Sequence, residues 1–219
     1  MVVKFLEQAK AALLALDPEY SADIKDAIAN LAKTLFRRGC PEDYFGRTFG
    51  GGTYKEVYKV SPHCVIKFCS FDNPSEEEER LYNAAIDAGF GHFFVPTFFF
   101  NLPIALPSYY FDEYEYPLTS MEIQYIATTV DDLGLRYTPY HEQHSIVAGR
   151  AILSYSLIKK SRIHFNQWLK DAMTYYSYDK LVDFIENFIS YYDMSDLHSA
   201  NIGYINGNQP VILDWLSDC

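Results

Sequence analysis

The sequence predicts an α+β protein of two lobes preceded by a helical extension, and three observations carry that expectation. Two stripes with helical spacing open the chain, short β-type runs begin at Arg47, and the pattern turns mostly helical after residue 127 before a short strand pair near the end. The expected divisions are a helical extension over 1–43, an antiparallel strand-rich lobe over 44–126, and a reduced helical lobe over 127–219.

Each element has its own reason. Residues 3–16 (VKFLEQAKAALLAL) are apolar at helical spacing and meet a stop at Asp17-Pro18. Ser21 is placed to cap a second helix with the stripe Ile24, Ala27, Ile28, Leu31 and Leu35. RTFGGGTYKEVYKV and HCVIKFC read as strands joined by a turn at Ser61-Pro62. NPSEEEERLYNAAIDAGF reads as a helix capped by Asn73 or Ser75, with acids in the first turn, where the helix dipole favours them. Strands are expected near 93–100 and 120–127, and helices over 142–160, 162–176 and 178–191.

Bulk properties narrow the function. The 219 residues are 49% apolar and 21% charged, which suits a folded globular chain. A net charge of −11 repels phosphate backbones, and the short clusters at Arg37-Arg38 and Lys159-Lys160 are no DNA-binding arm, so no nucleic-acid partner is expected. Glu7 and Lys10 interrupt the first apolar run, and no stretch reaches eighteen apolar residues. No membrane partner and a cytoplasmic location follow as expectations. The four cysteines lack CxxC spacing and read as reduced thiols, and His141, His144 and His164 read as ordinary surface or core histidines.

Three features have chemical potential. Gly50-Gly51-Gly52 lies between two strand-like runs, where glycines let backbone N–H groups approach anionic oxygens. Lys67 interrupts the apolar strand Val65-Ile66-Lys67-Phe68: either it faces water on an alternating strand, or its ammonium addresses phosphates and needs a carboxylate to hold it. Among Glu76 to Glu79, Glu78 shares a face with Leu81, Tyr82 and Ala85 and is the chosen partner, with Glu79 next. The tail then places Asp196, Asn201 and Asp214 in order, the last closing the apolar run Val211-Ile212-Leu213.

This ordered set resembles the protein-kinase-like family, which includes protein kinases and aminoglycoside or choline phosphotransferases. Gly50, Gly52 and Val57 match the family's Gly-rich pattern, with Lys55 in place of its third glycine. Lys67 matches the strand lysine, Asp196 to Asn201 the catalytic loop, and Leu213-Asp214-Trp215 the metal-binding triplet. His198, two residues after Asp196, is similar to the small-molecule branch. The resemblance implies a bilobal fold and γ-phosphate transfer from ATP to a hydroxyl on a protein or small molecule. It implies that Asn201 and Asp214 hold Mg²⁺, that Asp196 orients or deprotonates the acceptor, and that Lys67, held by Glu78, steadies the α/β-phosphates. Gly50, Gly51, Gly52 and Val57 would line the nucleotide, and adenine would meet the backbone near Gln124 and Ile126.

The sequence departs from the family where Met194 replaces the usual histidine two residues before Asp196. Five residues follow Asp214, so the expectation is a second lobe cut to its catalytic core, without an activation loop. An active phosphotransferase, a pseudokinase that binds a protein partner, and an enzyme that transfers AMP are the readings carried forward. In each, the N-terminal helices brace the small lobe or recruit a partner.

Overall fold

The computed structural model describes residues 1–51, 55–70, 75–110, 116–129, 164–192 and 201–214. Gly52, Asp196, His198 and the helix expected over 142–160 lie outside the described residues. The chain forms two compact units, Met1–Ser75 with Pro96–Ile126, and Glu76–Val95 with Ala127–Cys219. It is α+β, with helices and antiparallel sheets. Among the described residues no helix is long and apolar enough to cross a membrane.

In the first unit, α1 (Val2–Leu16) stops where expected, the Asp17 N–H donating to the Leu13 carbonyl at 2.9 Å. α2 (Ser21–Arg37) starts at Ser21 itself, with Tyr20 at the cap position and no side-chain cap, and ends through left-handed Arg38 at φ 52°. A short α3 (Glu42–Phe45) follows. The strands β1 (Gly50–Gly51), β2 (Lys55–Lys59), β3 (Cys64–Ser70), β4 (Thr97–Leu106) and β5 (Leu118–Tyr125) form one antiparallel sheet in the order β1-β2-β3-β5-β4. The strand expected over 93–100 starts later, because Gly91–Phe93 is a 3₁₀ turn and the strand begins after Pro96. β4 is an edge strand with Pro103 inside it, and its pairing with β5 breaks register between Asn101 and Leu106.

Strand alternation divides this sheet into two chemically different faces. Tyr58, Cys64, Ile66, Phe68, Met121 and Ile123 join a core with Phe5, Ala9 and Leu13 of α1 and Ile24, Leu31 and Leu35 of α2. The N-terminal helices therefore share the sheet's core and are not a separate body. The other face holds Val57, Lys67, Glu122 and Gln124, because residues directly opposite in an antiparallel pair share a side. The turn joining β2 to β3 is fixed to α1: the Ser61 hydroxyl donates to Asp17 Oδ2 and accepts from the N–H groups of His63 at 3.1 Å and Cys64 at 3.0 Å.

The second unit contains α4 (Ser75–Asp87, all but its first residue), α5 (His164–Tyr176) and α6 (Tyr178–Asp183). A single π turn over Phe184–Ile189 leads into α7 (Ser190–Tyr192). The π turn buries Phe184 and Phe188 beside Phe93, whose ring stacks on Phe184 at a centroid distance of 4.2 Å. A three-stranded antiparallel sheet joins β6 (Thr128–Thr129), β7 (Ile202–Ile205) and β8 (Gln209–Ile212). Asn206 at φ 52° and Gly207 at φ 78° are left-handed within the three-residue turn between Ile205 and Gln209.

The approach of β6 to β7 leaves no room for a side chain at Gly203. A Cβ there would lie 2.3 Å from the Thr128 carbonyl oxygen. Gly203→Ala should therefore destabilise the unit by about 1–3 kcal/mol, as overpacking against backbone does. A lowered denaturant midpoint with unchanged slope checks this; an unchanged midpoint contradicts it.

Candidate functional site

Lys67 is buried at 7% exposure, so it is not the outward residue of a half-solvated strand. All seven residues of β3 are buried, and Lys67 is the one charge among them. Its Nζ lies 3.7 Å from Oε2 of Glu122, the residue directly opposite on β5. Oε1 of the same carboxylate lies 3.5 Å from Nζ of Lys55 and accepts from Cys69 Sγ at 3.5 Å. One buried carboxylate thus divides its two oxygens between ammonium groups from β2 and β3. Such a carboxylate is tolerable where water is largely excluded because it is paired on both oxygens.

Glu122 is a site residue the sequence did not single out. The strand pattern of SMEIQY placed it on an apolar run, but only the pairing of β5 with β3 puts it across from Lys67. Glu78, the carboxylate expected to hold Lys67, is buried on α4 in the second unit. The neighbouring Glu56 belongs to different chemistry on the opposite side of β2. It accepts from Tyr58 at 2.7 Å and from Ser108, and burial raises its pKa against the lowering effect of those bonds.

The glycine turn is described at its start. Gly50 and Gly51 pair with Val57 and Glu56, and the Phe49 N–H donates to the Val57 carbonyl at 2.7 Å. Val57 is half-buried directly opposite Lys67, on the face where a nucleotide was expected. Gln124 lies inside β5, paired on both sides, with its side-chain amide donating to Thr97 Oγ1 at 3.1 Å. The expected adenine contact near Ile126 is limited by that residue's own bonding. Its N–H donates to the His63 carbonyl at 2.7 Å, so that donor is committed within the protein. Of that residue's backbone groups, only the carbonyl can serve a base.

In the second unit, the hairpin of β7 and β8 brings together two residues that the sequence separates by thirteen positions. Ile202 pairs with Ile212, and the Leu213 N–H donates to the Asn201 carbonyl at 2.8 Å, so Asn201 and Asp214 sit at one end of the hairpin. Both are partly exposed. The hairpin is held from several sides. Trp168 Nε1 donates to the Gly203 carbonyl at 2.9 Å, the Tyr204 hydroxyl to Asp171 at 2.7 Å, and the Val95 N–H to the Ile212 carbonyl at 2.9 Å. The Tyr176 hydroxyl is shared between the carbonyls of His92 at 2.7 Å and Pro210 at 2.6 Å.

One amide and one carboxylate are hard oxygen donors, a set that suits Mg²⁺, which keeps several waters and takes the rest of its ligands from phosphate. Among the described residues there is no group of three or more His, Cys, Asp or Glu side chains that could hold a metal. Compared with models of known protein families and with curated proteins, the chain matches none of them.

Proposed function

We propose that this chain is an ATP- and Mg²⁺-dependent phosphotransferase of protein-kinase-like type, which moves the γ-phosphate to a hydroxyl on a protein or small molecule. The observation that carries the reading is the hairpin end, where a 2.8 Å backbone bond joins Asn201 to Leu213, the residue before Asp214. Lys67 adds to it as a buried ammonium on the sheet face that also holds Val57 and Gln124, two residues expected to line the nucleotide.

The chemistry asks little else of the protein. Phosphoryl transfer is accelerated mainly by positioning and by neutralising charge on the phosphates. In this reading Lys67 engages the α/β-phosphates, Asn201 and Asp214 hold the Mg²⁺, and Asp196 orients the acceptor hydroxyl, with His198 beside it in sequence. Bound Mg²⁺ would supply Lewis-acid stabilisation of the phosphoryl oxygens.

Thermal unfolding with nucleotide is the test. Mg-ATP at about 100 times its Kd should add about 2.7 kcal/mol, which is roughly 5–10 °C for a chain of this size. Asp214→Ala should abolish the Mg²⁺-dependent part of that rise. Absence of any rise in the natural chain sinks the reading and favours a protein-binding module. Label retained by the acceptor from α- rather than γ-labelled ATP would replace phosphate transfer with AMP transfer.

A further inference from the structure

Glu56 is a carboxylate on the core face of β2, only 2% exposed and opposite Phe68 of β3. Phe45 of α3 packs against both Phe68 and Tyr58 beside it. Among the described residues no cation pairs with Glu56. Its partners are two hydroxyls, Tyr58 donating to Oε2 at 2.7 Å and Ser108 donating to Oε1. The Ser108 hydroxyl also accepts from the Tyr110 N–H at 2.9 Å. Tyr110 sets its own hydroxyl 3.1 Å from Glu42 Oε1 and 3.3 Å from Thr48 Oγ1, and Tyr109 donates to Asp43 Oδ1 at 2.9 Å. Residues 108–110 thus join β2, α3 and the approach to the glycine turn. We infer that this segment is a pH-sensitive strap on the start of the glycine turn, anchored by Glu56 and tighter when the Glu56 carboxyl is protonated.

The outer part of the strap is lightly held. Tyr109 is 64% exposed and Tyr110 50%, so their grip on α3 and Thr48 comes from surface hydroxyl contacts, with little ring area buried. The inner part is Ser108 on Glu56, and residues 107–110 lie outside any strand or helix. Releasing them breaks fewer backbone bonds than opening the sheet, which makes it the least costly way to let water reach the carboxylate. The groups around Glu56 favour its neutral form. Burial is the largest influence and raises its pKa, the bonds from Ser108 and Tyr58 lower it, and the Glu42 charge raises it, with the outcome above the ordinary value. Phe68 and Gly51, its neighbours across β3 and β1, bring no charge. A neutral carboxyl keeps an acceptor oxygen and gains a donor, so the hydroxyl partners remain usable. The sign follows by linkage. Stability that the strap draws from the protonated carboxyl is full below the ordinary carboxylate range and is lost as pH rises through the raised value. The strap therefore holds in acid and loosens as the solution becomes more basic.

Backbone hydrogen exchange of the full chain tests this, corrected for the intrinsic pH dependence of amide exchange. The range is about pH 5 to about pH 8, where carboxylates at their ordinary values are already largely ionised. The reporters are the Phe49 N–H, bonded to the Val57 carbonyl, and the Tyr110 N–H, bonded to Ser108. Protection at both should fall as pH rises, by at most about tenfold per pH unit, the limit for one proton, and should level off at the raised value. Glu56→Gln, neutral at every pH, should keep the acid-side protection throughout. Glu42→Gln keeps an acceptor for Tyr110 but loses the charge, so the levelling point should move to lower pH. Ser108→Ala removes a bond that favours the ionised carboxylate, so it should move that point to higher pH. Protection that is constant or rises with pH overturns the inference. A fall that persists in Glu56→Gln also overturns it, because another group would then be titrating. Should Glu56→Gln fail to fold, an unmoved levelling point in Glu42→Gln and Ser108→Ala overturns it equally. No nucleotide enters these measurements, so the strap and the phosphotransferase reading stand or fall separately.

Discussion

Replacing Glu122 with alanine should cost about 3–5 kcal/mol of stability, the range for removing one partner of a buried ion pair. The carboxylate is 3% exposed and its two lysines 9% and 11%, so the variant would remove the carboxylate that both ammonium groups share where little water reaches them. The loss comes from removing one partner of buried charges, which makes it separable from any net value of the network. Glu122→Gln, which keeps an acceptor oxygen, should cost less. Replacing the set together, with Lys55→Met, Lys67→Met and Glu122→Leu, should recover most of the loss, because apolar groups of similar volume need no compensation there. Denaturant midpoints across the series decide the matter. A Glu122→Ala cost below 1 kcal/mol would show the cluster to be solvated and weakly coupled.

Trp168→Ala should be of comparable size, about 3–5 kcal/mol, because it opens a cavity and removes a hydrogen bond together. Trp168 is 2% exposed, among the largest buried side chains, and its indole N–H is bonded to the Gly203 carbonyl at 2.9 Å. Trp168→Phe fills most of the space and separates the two contributions. It should cost about 1–3 kcal/mol, chiefly from the stranded carbonyl. Because Gly203 lies two residues from Asn201 on the same strand, this variant should also weaken the Mg²⁺-dependent thermal response to ATP. A folded Trp168→Phe chain with an unchanged response would show that the indole supports the fold without ordering the hairpin end.

Much of the fold was legible because local periodicity decided it. The stripes of α1 and α2, the buried run of β3 and the amphipathic 178–191 segment each follow from spacing and burial alone. Features set by strand pairing were not. Glu122 becomes a partner of Lys67 only through the register of β5 on β3, and register depends on residues far apart in sequence. Ile126 shows the same limit, since its N–H is taken by His63, a residue that spacing cannot connect to it. The start of β4 was misplaced because FFVPTFFF is apolar throughout, and period cannot tell a strand from a buried turn in such a run. Asn201 and Asp214 were legible in sequence order, and their juxtaposition is a hairpin effect that Asn206-Gly207 announces.

The outer strand of the larger sheet has one more consequence. A ten-residue strand at a border would offer a row of unmet amide and carbonyl groups on which another chain could crystallise its own strand. Pro103 deletes one of those donors, and the slip between Asn101 and Leu106 bends the remainder out of line. Growth of the sheet by recruitment of further copies is thereby discouraged from within the strand itself.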